Sequence, residues 1–77
     1  MNPQEIRRKL HAAPFLPFRV YTSDGKYLDV KHPEMAMLTT TALLVAHPVA
    51  DPTRDIPHHY DSVSPLHIVR LEPLVAA

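Results

Sequence analysis

Between Phe18 and Lys31 the chain alternates apolar and polar residues with a period of two. Phe18, Val20 and Thr22 alternate with Arg19 and Tyr21, and Leu28 and Val30 alternate with Tyr27, Asp29 and Lys31. That period marks half-buried strands. Two reversals could join them. A two-residue type I′ turn at Asp24-Gly25 sets Val20 opposite Asp29 and Phe18 opposite Lys31. It would carry charge onto the core face, because a one-residue slip turns every side chain over. A three-residue loop, Ser23-Asp24-Gly25, closes a type I turn with Gly25 in the left-handed bulge position. It pairs Val20 with Leu28, Phe18 with Val30, Tyr21 with Tyr27 and Arg19 with Asp29. One face is then apolar, and the other carries an aromatic pair and a cross-strand ion pair. The longer loop is expected, and it accounts for the single glycine of the chain.

Ahead of this hairpin the period changes. Ile6, Leu10 and Ala13 recur at helical spacing while Arg7, Arg8 and His11 point elsewhere. Asn2 is placed to cap, Pro3 to occupy the first helical position and Glu5 to complete a capping box, so a helix over residues 2–13 is predicted. Pro14 ends it. A helix of about three turns is barely stable alone in water and must dock on the sheet.

After the hairpin, His32-Pro33 ends or kinks the second strand. Met35, Met37 and Leu38 suggest a further short strand, with one helical turn over Glu34 to Leu38 as the alternative. Thr39-Thr40-Thr41 connects to a short apolar strand, Leu43-Leu44-Val45-Ala46. Prolines and aspartates across residues 48–55 mark an exposed, flexible loop. Ile56 to Val63 reads as a strand kept near an edge by Pro57, which cannot donate to a ladder. Ser64-Pro65-Leu66-His67 reads as a serine-capped tight turn, and Ile68 to Glu72 as a final strand closed by Pro73. The succession predicts one domain, residues 1–77, mainly β with an N-terminal helix. Residues 17–74 form its β-rich part, as a small SH3-like or Sm-like five-stranded barrel or a strongly bent antiparallel sheet. That fold expectation is topological analogy.

Length and composition narrow the function classes. A domain of 77 residues buries only about 60% of its unfolded surface. With no cysteine there is no disulfide or thiolate metal site to brace it. Self-association is the simplest source of added stability. No apolar run approaches the roughly 18 residues of a membrane span, and no secretory signal is recognisable, so a cytoplasmic location is expected. Formal net charge is zero, without the basic excess usual in nucleic-acid binders. Residues 1–31 nevertheless carry six Lys/Arg against three Asp/Glu, and residues 32–77 two against five. Internal pairing accounts for this more simply than a basic patch does.

The segments Pro14-Phe15, Pro17-Phe18-Arg19, Asp24-Gly25-Lys26, Val30, His32-Pro33-Glu34, His67-Ile68 and Arg70-Leu71-Glu72 together carry a resemblance. The chain resembles a group of small uncharacterised bacterial proteins. Their shared pattern is a short helix, PF-x-PFR, a DGR-like turn, V-x-HPE and a terminal HI-x-R-[IL]-E. It covers most of the chain outside Pro48 to Asp61. It departs at Leu16, where a basic residue is usual, and at Lys26, where arginine is usual. The resemblance supports the strand assignments and implies no activity.

Candidate chemistry is sparse. Six histidines raise metal binding, with His58, His59 and Asp61 as the densest group and His32 or Glu34 as distant partners. No HExxH helix or fixed ligand spacing accompanies them, and solvated histidines are the simpler reading. His32 and Glu34 form an acid–base pair on paper but lack an orienting partner, so a strand terminus is the simpler role. Ser23 is used by the turn, and Ser62 and Ser64 lie in no nucleophile elbow. No cofactor, metal or catalytic residue is assigned. A nucleic-acid or partner contact would use Arg7, Arg8, Arg19 and Lys31 with Tyr21 and Tyr27 as stacking platforms. The same tyrosines serve equally as cross-strand stabilisers.

The expectation is a non-enzymatic interaction module, self-associating through edge strands or binding another protein. Exposure of Met35 or Met37 would favour it. A Sm-like binder of single-stranded RNA is the alternative, and a metal-dependent enzyme comes third.

Overall fold

The computed structural model describes residues 1–47 and 59–74. Helix α1 spans Pro3–Leu10. The strands are β1 Phe18–Thr22, β2 Tyr27–Val30, β3 Ala36–Leu38, β4 Leu43–Ala46, β5 Tyr60–Val63 and β6 Ile68–Pro73. Single 3-10 turns at Pro33–Met35 and Pro65–His67 precede β3 and β6.

The hairpin has the three-residue loop. Phe18 pairs with Val30, Arg19 with Asp29, Val20 with Leu28 and Tyr21 with Tyr27. Thr22 N–H donates to the Lys26 carbonyl and Gly25 N–H to the Thr22 carbonyl. Gly25 has a φ of +83°, the left-handed region that an L side chain resists. Asp24 locks the turn from within, accepting from the Thr22 hydroxyl and the Lys26 amide.

Among the described residues the strands form two three-stranded antiparallel sheets. Sheet A runs β2-β1-β6 and sheet B runs β3-β4-β5. The expected five-stranded barrel is thus not closed, nor is there one continuous bent sheet, and six strands stand where five were expected. The reason lies in the two 3-10 turns. Met35 N–H donates to the His32 carbonyl and Ala36 N–H to the Pro33 carbonyl, while Pro33 has no donor. Backbone groups that would carry the β2 ladder into β3 are used inside the turn. At the other junction His67 N–H goes to Ser64 and Ile68 N–H to Pro65, with the Ser64 hydroxyl capping Leu66.

The core lies between the sheets: Phe18, Val20, Val30, Leu43, Val45 and Ile68 are buried, with Ile6 of α1 fully covered beside them. Every residue in that group is apolar. Asn2 caps α1 by accepting from Gln4, and Pro3 opens it. The helix is shorter than predicted, ending at Leu10, where His11 N–H caps on Arg7. Leu10 packs on the core whereas Ala13 is exposed, so nothing repays a further turn before Pro14. The helix lies against β3, and its Glu5, Arg8 and Lys9 line a cleft together with Arg70 and Leu71 of β6. The loop expected at 48–55 lies outside the described residues, as do Pro57 and His58. β5 is an edge strand, the place expected for it.

Candidate interaction surfaces

The outward side chains of sheet A form two rows. Asp29, Arg19 and Glu72 stand abreast on β2, β1 and β6, and Tyr27, Tyr21 and Arg70 stand abreast beside them. The Arg19 guanidinium grips Asp29 with two hydrogen bonds, Nε to Oδ1 at 2.7 Å and an Nη to Oδ2 at 3.2 Å. The same guanidinium lies 4.0 Å from the Tyr27 ring centroid. Arg70 repeats the device, with Nε 2.9 Å from Glu72 and its guanidinium 4.0 Å from the Tyr21 ring centroid. The two tyrosine rings lie 6.3 Å apart and tilted by 54°, a favourable edge-biased geometry.

Electrostatics follow from these contacts. The Asp29 carboxylate, with the Tyr21 hydroxyl second, raises the Arg19 pKa, and the hydrogen bond from Arg70 lowers that of Glu72. Both arginines of the face are charge-paired, and each of the two tyrosines has a guanidinium over its ring. This is a surface that satisfies itself.

The sequence-predicted contact residues therefore divide. Arg19, Tyr21 and Tyr27 come together, joined by Asp29, Arg70 and Glu72. Lys31 is exposed beyond the end of β2, lining a small cleft with Tyr27, Asp29 and His47. Arg7 and Arg8 sit on α1 and part company: Arg7 borders β3 beside Met37, and Arg8 borders β6 beside Arg70. Arg70 and Glu72 were missed as members of the face. Their alternation within Ile68–Glu72 was visible, but the pairing of β6 with β1 was not.

The outer face of sheet B is of another kind. Leu43 and Val45 point to the core, so Met37, Leu44 and Ser62 stand in one outward row and Ala46 and Tyr60 in the next. None of the five carries charge. Met37 is 63% exposed and Tyr60 67%. Beside Met37 a groove of about 330 Å³ runs between α1 and β3, lined by Arg7, Leu10, His11, Pro33, Ala36 and Leu38.

Other candidate chemistry stays dispersed. Asp61 is held by His47, with Nε2 2.7 Å from Oδ2. Among the described residues no three His, Cys, Asp or Glu side chains lie together as a metal site would require; His58 lies outside them. His32 and Glu34 flank Pro33 at the start of the turn, both exposed, and no hydrogen bond joins them. Ser23 Oγ is 3.5 Å from His67 Nδ1, at the limit of an interaction and in the open. That contact borders a cleft of about 500 Å³ between the hairpin end and β5.

No helix among the described residues is long and apolar enough to cross a membrane. Comparison with family models, with curated proteins and with solved structures finds no match to this chain.

Proposed function

We propose that this chain is a non-enzymatic interaction module that associates with a second copy of itself through sheet B. The observation that carries this is the opposite treatment of the two outer faces. Sheet A covers its cations with carboxylates and rings of its own, whereas sheet B leaves Met37 and Tyr60 exposed beside a half-buried Leu44, with no charge among them. Apolar side chains in a contiguous outward row are the ordinary mark of a contact surface, and methionine suits adaptable packing. The edge strands β3 and β5 border the same face, so strand pairing and face packing would draw on one region. The strand path adds a finer proposal about architecture. A hairpin, an interrupted strand, a tight turn and a last strand returning to β1 follow the order of SH3-like and Sm-like domains.

Single-strand RNA binding is the weaker reading. Tyr21 and Tyr27 are well placed on an open sheet, but each ring already carries an arginine, and both arginines are paired. Stacking of bases would have to displace them.

Solution mass across a dilution series separates the two. A concentration-dependent dimer is expected, together with no retention of labelled single-stranded oligonucleotide. A monomer at every concentration, with retention that weakens steeply as salt rises, would overturn the proposal.

A further inference from the structure

Strand β5 is bonded, among the described residues, to β4 alone. The phase of that ladder follows from one bond, in which His47 N–H donates to the His59 carbonyl. Hydrogen-bonded and non-bonded positions alternate along an antiparallel pair. His47 with His59 is therefore a bonded pair, as are Val45 with Asp61 and Leu43 with Val63. Tyr60 and Ser62 fall between these positions, so their N–H and C=O groups point away from β4. Neither has a backbone partner on that side among the described residues.

Beside this edge lies the cleft of about 500 Å³, lined by Asp61, Ser62, Val63 and Ser64 in unbroken succession. Successive side chains of a strand point to opposite faces, so a hollow over one face would touch alternate residues only. Contact with four in a row places the cleft along the edge of β5. Across it stands the hairpin end, with Thr22, Lys26 and Leu28. Leu28 and Val63 are half-buried, packed on the core from one side and open to the cleft on the other.

We propose that the cleft takes an extended peptide segment of another protein, added as a further strand to the free edge of β5. A peptide residue opposite Ser62 exchanges both N–H···O bonds with it, the main-chain recognition by which sheet edges accept strands. Alternate peptide side chains then face the floor of the cleft. One of them is apolar and covers Leu28 and Val63. The residue two positions away is acidic and meets Lys26, which shares the side of Leu28 by the strand period and has no ion pair among the described residues. The carboxylates of the cleft are already engaged, Asp61 by His47 and Asp24 by the Thr22 hydroxyl and the Lys26 amide. The volume falls within the roughly 300–1,000 Å³ of ligand clefts.

The hairpin end also decides against a second copy in this place. The β5 of another copy is backed by its own β4, whereas a strand seated here has β5 on one side and the hairpin end on the other. Only a segment without a sheet behind it fits. The peptide is thus a different partner from the second copy proposed above, and failure of either proposal leaves the other standing.

The probes are blocked seven-residue peptides that alternate threonine with leucine, valine or phenylalanine, one of those apolar positions in each being glutamate. They are titrated into the isotope-labelled full chain and followed by NMR. Saturable amide shifts are expected at residues 22–28, 61–64 and His67, with a dissociation constant below about 1 mM. The peptide is also made N-methylated on each of its two alternate sets of amides, which keeps every side chain. One set faces β5 and should lose about tenfold or more in affinity, and the other should keep it. Replacing the glutamate by lysine should weaken binding about threefold. In the protein, Ser62→Pro removes the outward donor, which an edge strand tolerates. It should weaken binding about tenfold while the thermal transition stays native-like. Equal binding by both N-methylated forms and the parent would overturn strand addition, since the cleft would then hold side chains alone. Shifts centred on Met37 and Leu44, or no saturable shift with any peptide of the set, would overturn the site.

Discussion

At Gly25 the fold depends on one backbone angle. Its φ of +83° sits where a Cβ is resisted by local sterics, and nothing else crowds the position, since a Cβ built there meets no atom within 4 Å. The cost of Gly25→Ala should therefore be purely conformational, about 1 kcal/mol. Urea unfolding should show it, with Gly25→Asn costing less because asparagine tolerates this region. Beside it, Asp24 accepts from the Thr22 hydroxyl and then from the Lys26 amide, and these lower its pKa; Glu72 is lowered by Arg70. A carboxylate with a depressed folded pKa adds stability that is complete above its unfolded value of about 4. That stability is lost as pH falls through the folded pKa, below the ordinary carboxylate range. The melting temperature should drop as pH falls below about 4 and through the lowered folded pKa values, and Asp24→Asn should show a smaller drop. An unchanged drop would mean that Asp24 contributes nothing through its charge.

At the scale of elements, α1 is attached chiefly by Ile6, which is fully buried among Phe18, Val20 and Ile68. Ile6→Ala should cost about 2–5 kcal/mol and Ile6→Val about 1 kcal/mol. The first is a large share of the stability of a domain this small. Helical circular dichroism and chemical denaturation together would report whether the helix undocks or the whole domain melts. Much of this element level was legible beforehand. The hairpin register followed from keeping Asp29 and Lys31 off the face of Phe18 and Val20. The 43–46 strand, the Ser64 cap and the final strand followed from apolar runs and prolines. Barrel closure was not legible, because a period of two says which way side chains point and nothing about where backbone donors are used. At His32–Met35 they are used within the turn. The Arg70–Tyr21 stack was hidden for a related reason: it depends on a pairing between strands distant in sequence. The helix end was overestimated because Ala13 matched the period while having nothing to pack against.

For the whole molecule, the division of labour between two outer faces is the organising fact. Sheet A offers Arg19, Tyr21 and Tyr27, three of the residues that the sequence nominates for recognition, together with Arg70, which it does not. They are instead occupied with Asp29, Glu72 and one another. Sheet B offers Met37, Leu44, Ala46, Tyr60 and Ser62, unremarkable one at a time and uncharged together. Exposure of Met37 was the sign expected of a contact module, while Met35, one turn earlier, is half-buried. Amide chemical shifts followed by NMR across a dilution series compare the two faces directly. Concentration-dependent shifts confined to residues 36–38, 43–46 and 60–62 are expected, with Arg19, Tyr21, Asp29, Arg70 and Glu72 unmoved. Shifts centred on those sheet A residues, or none anywhere, would contradict it.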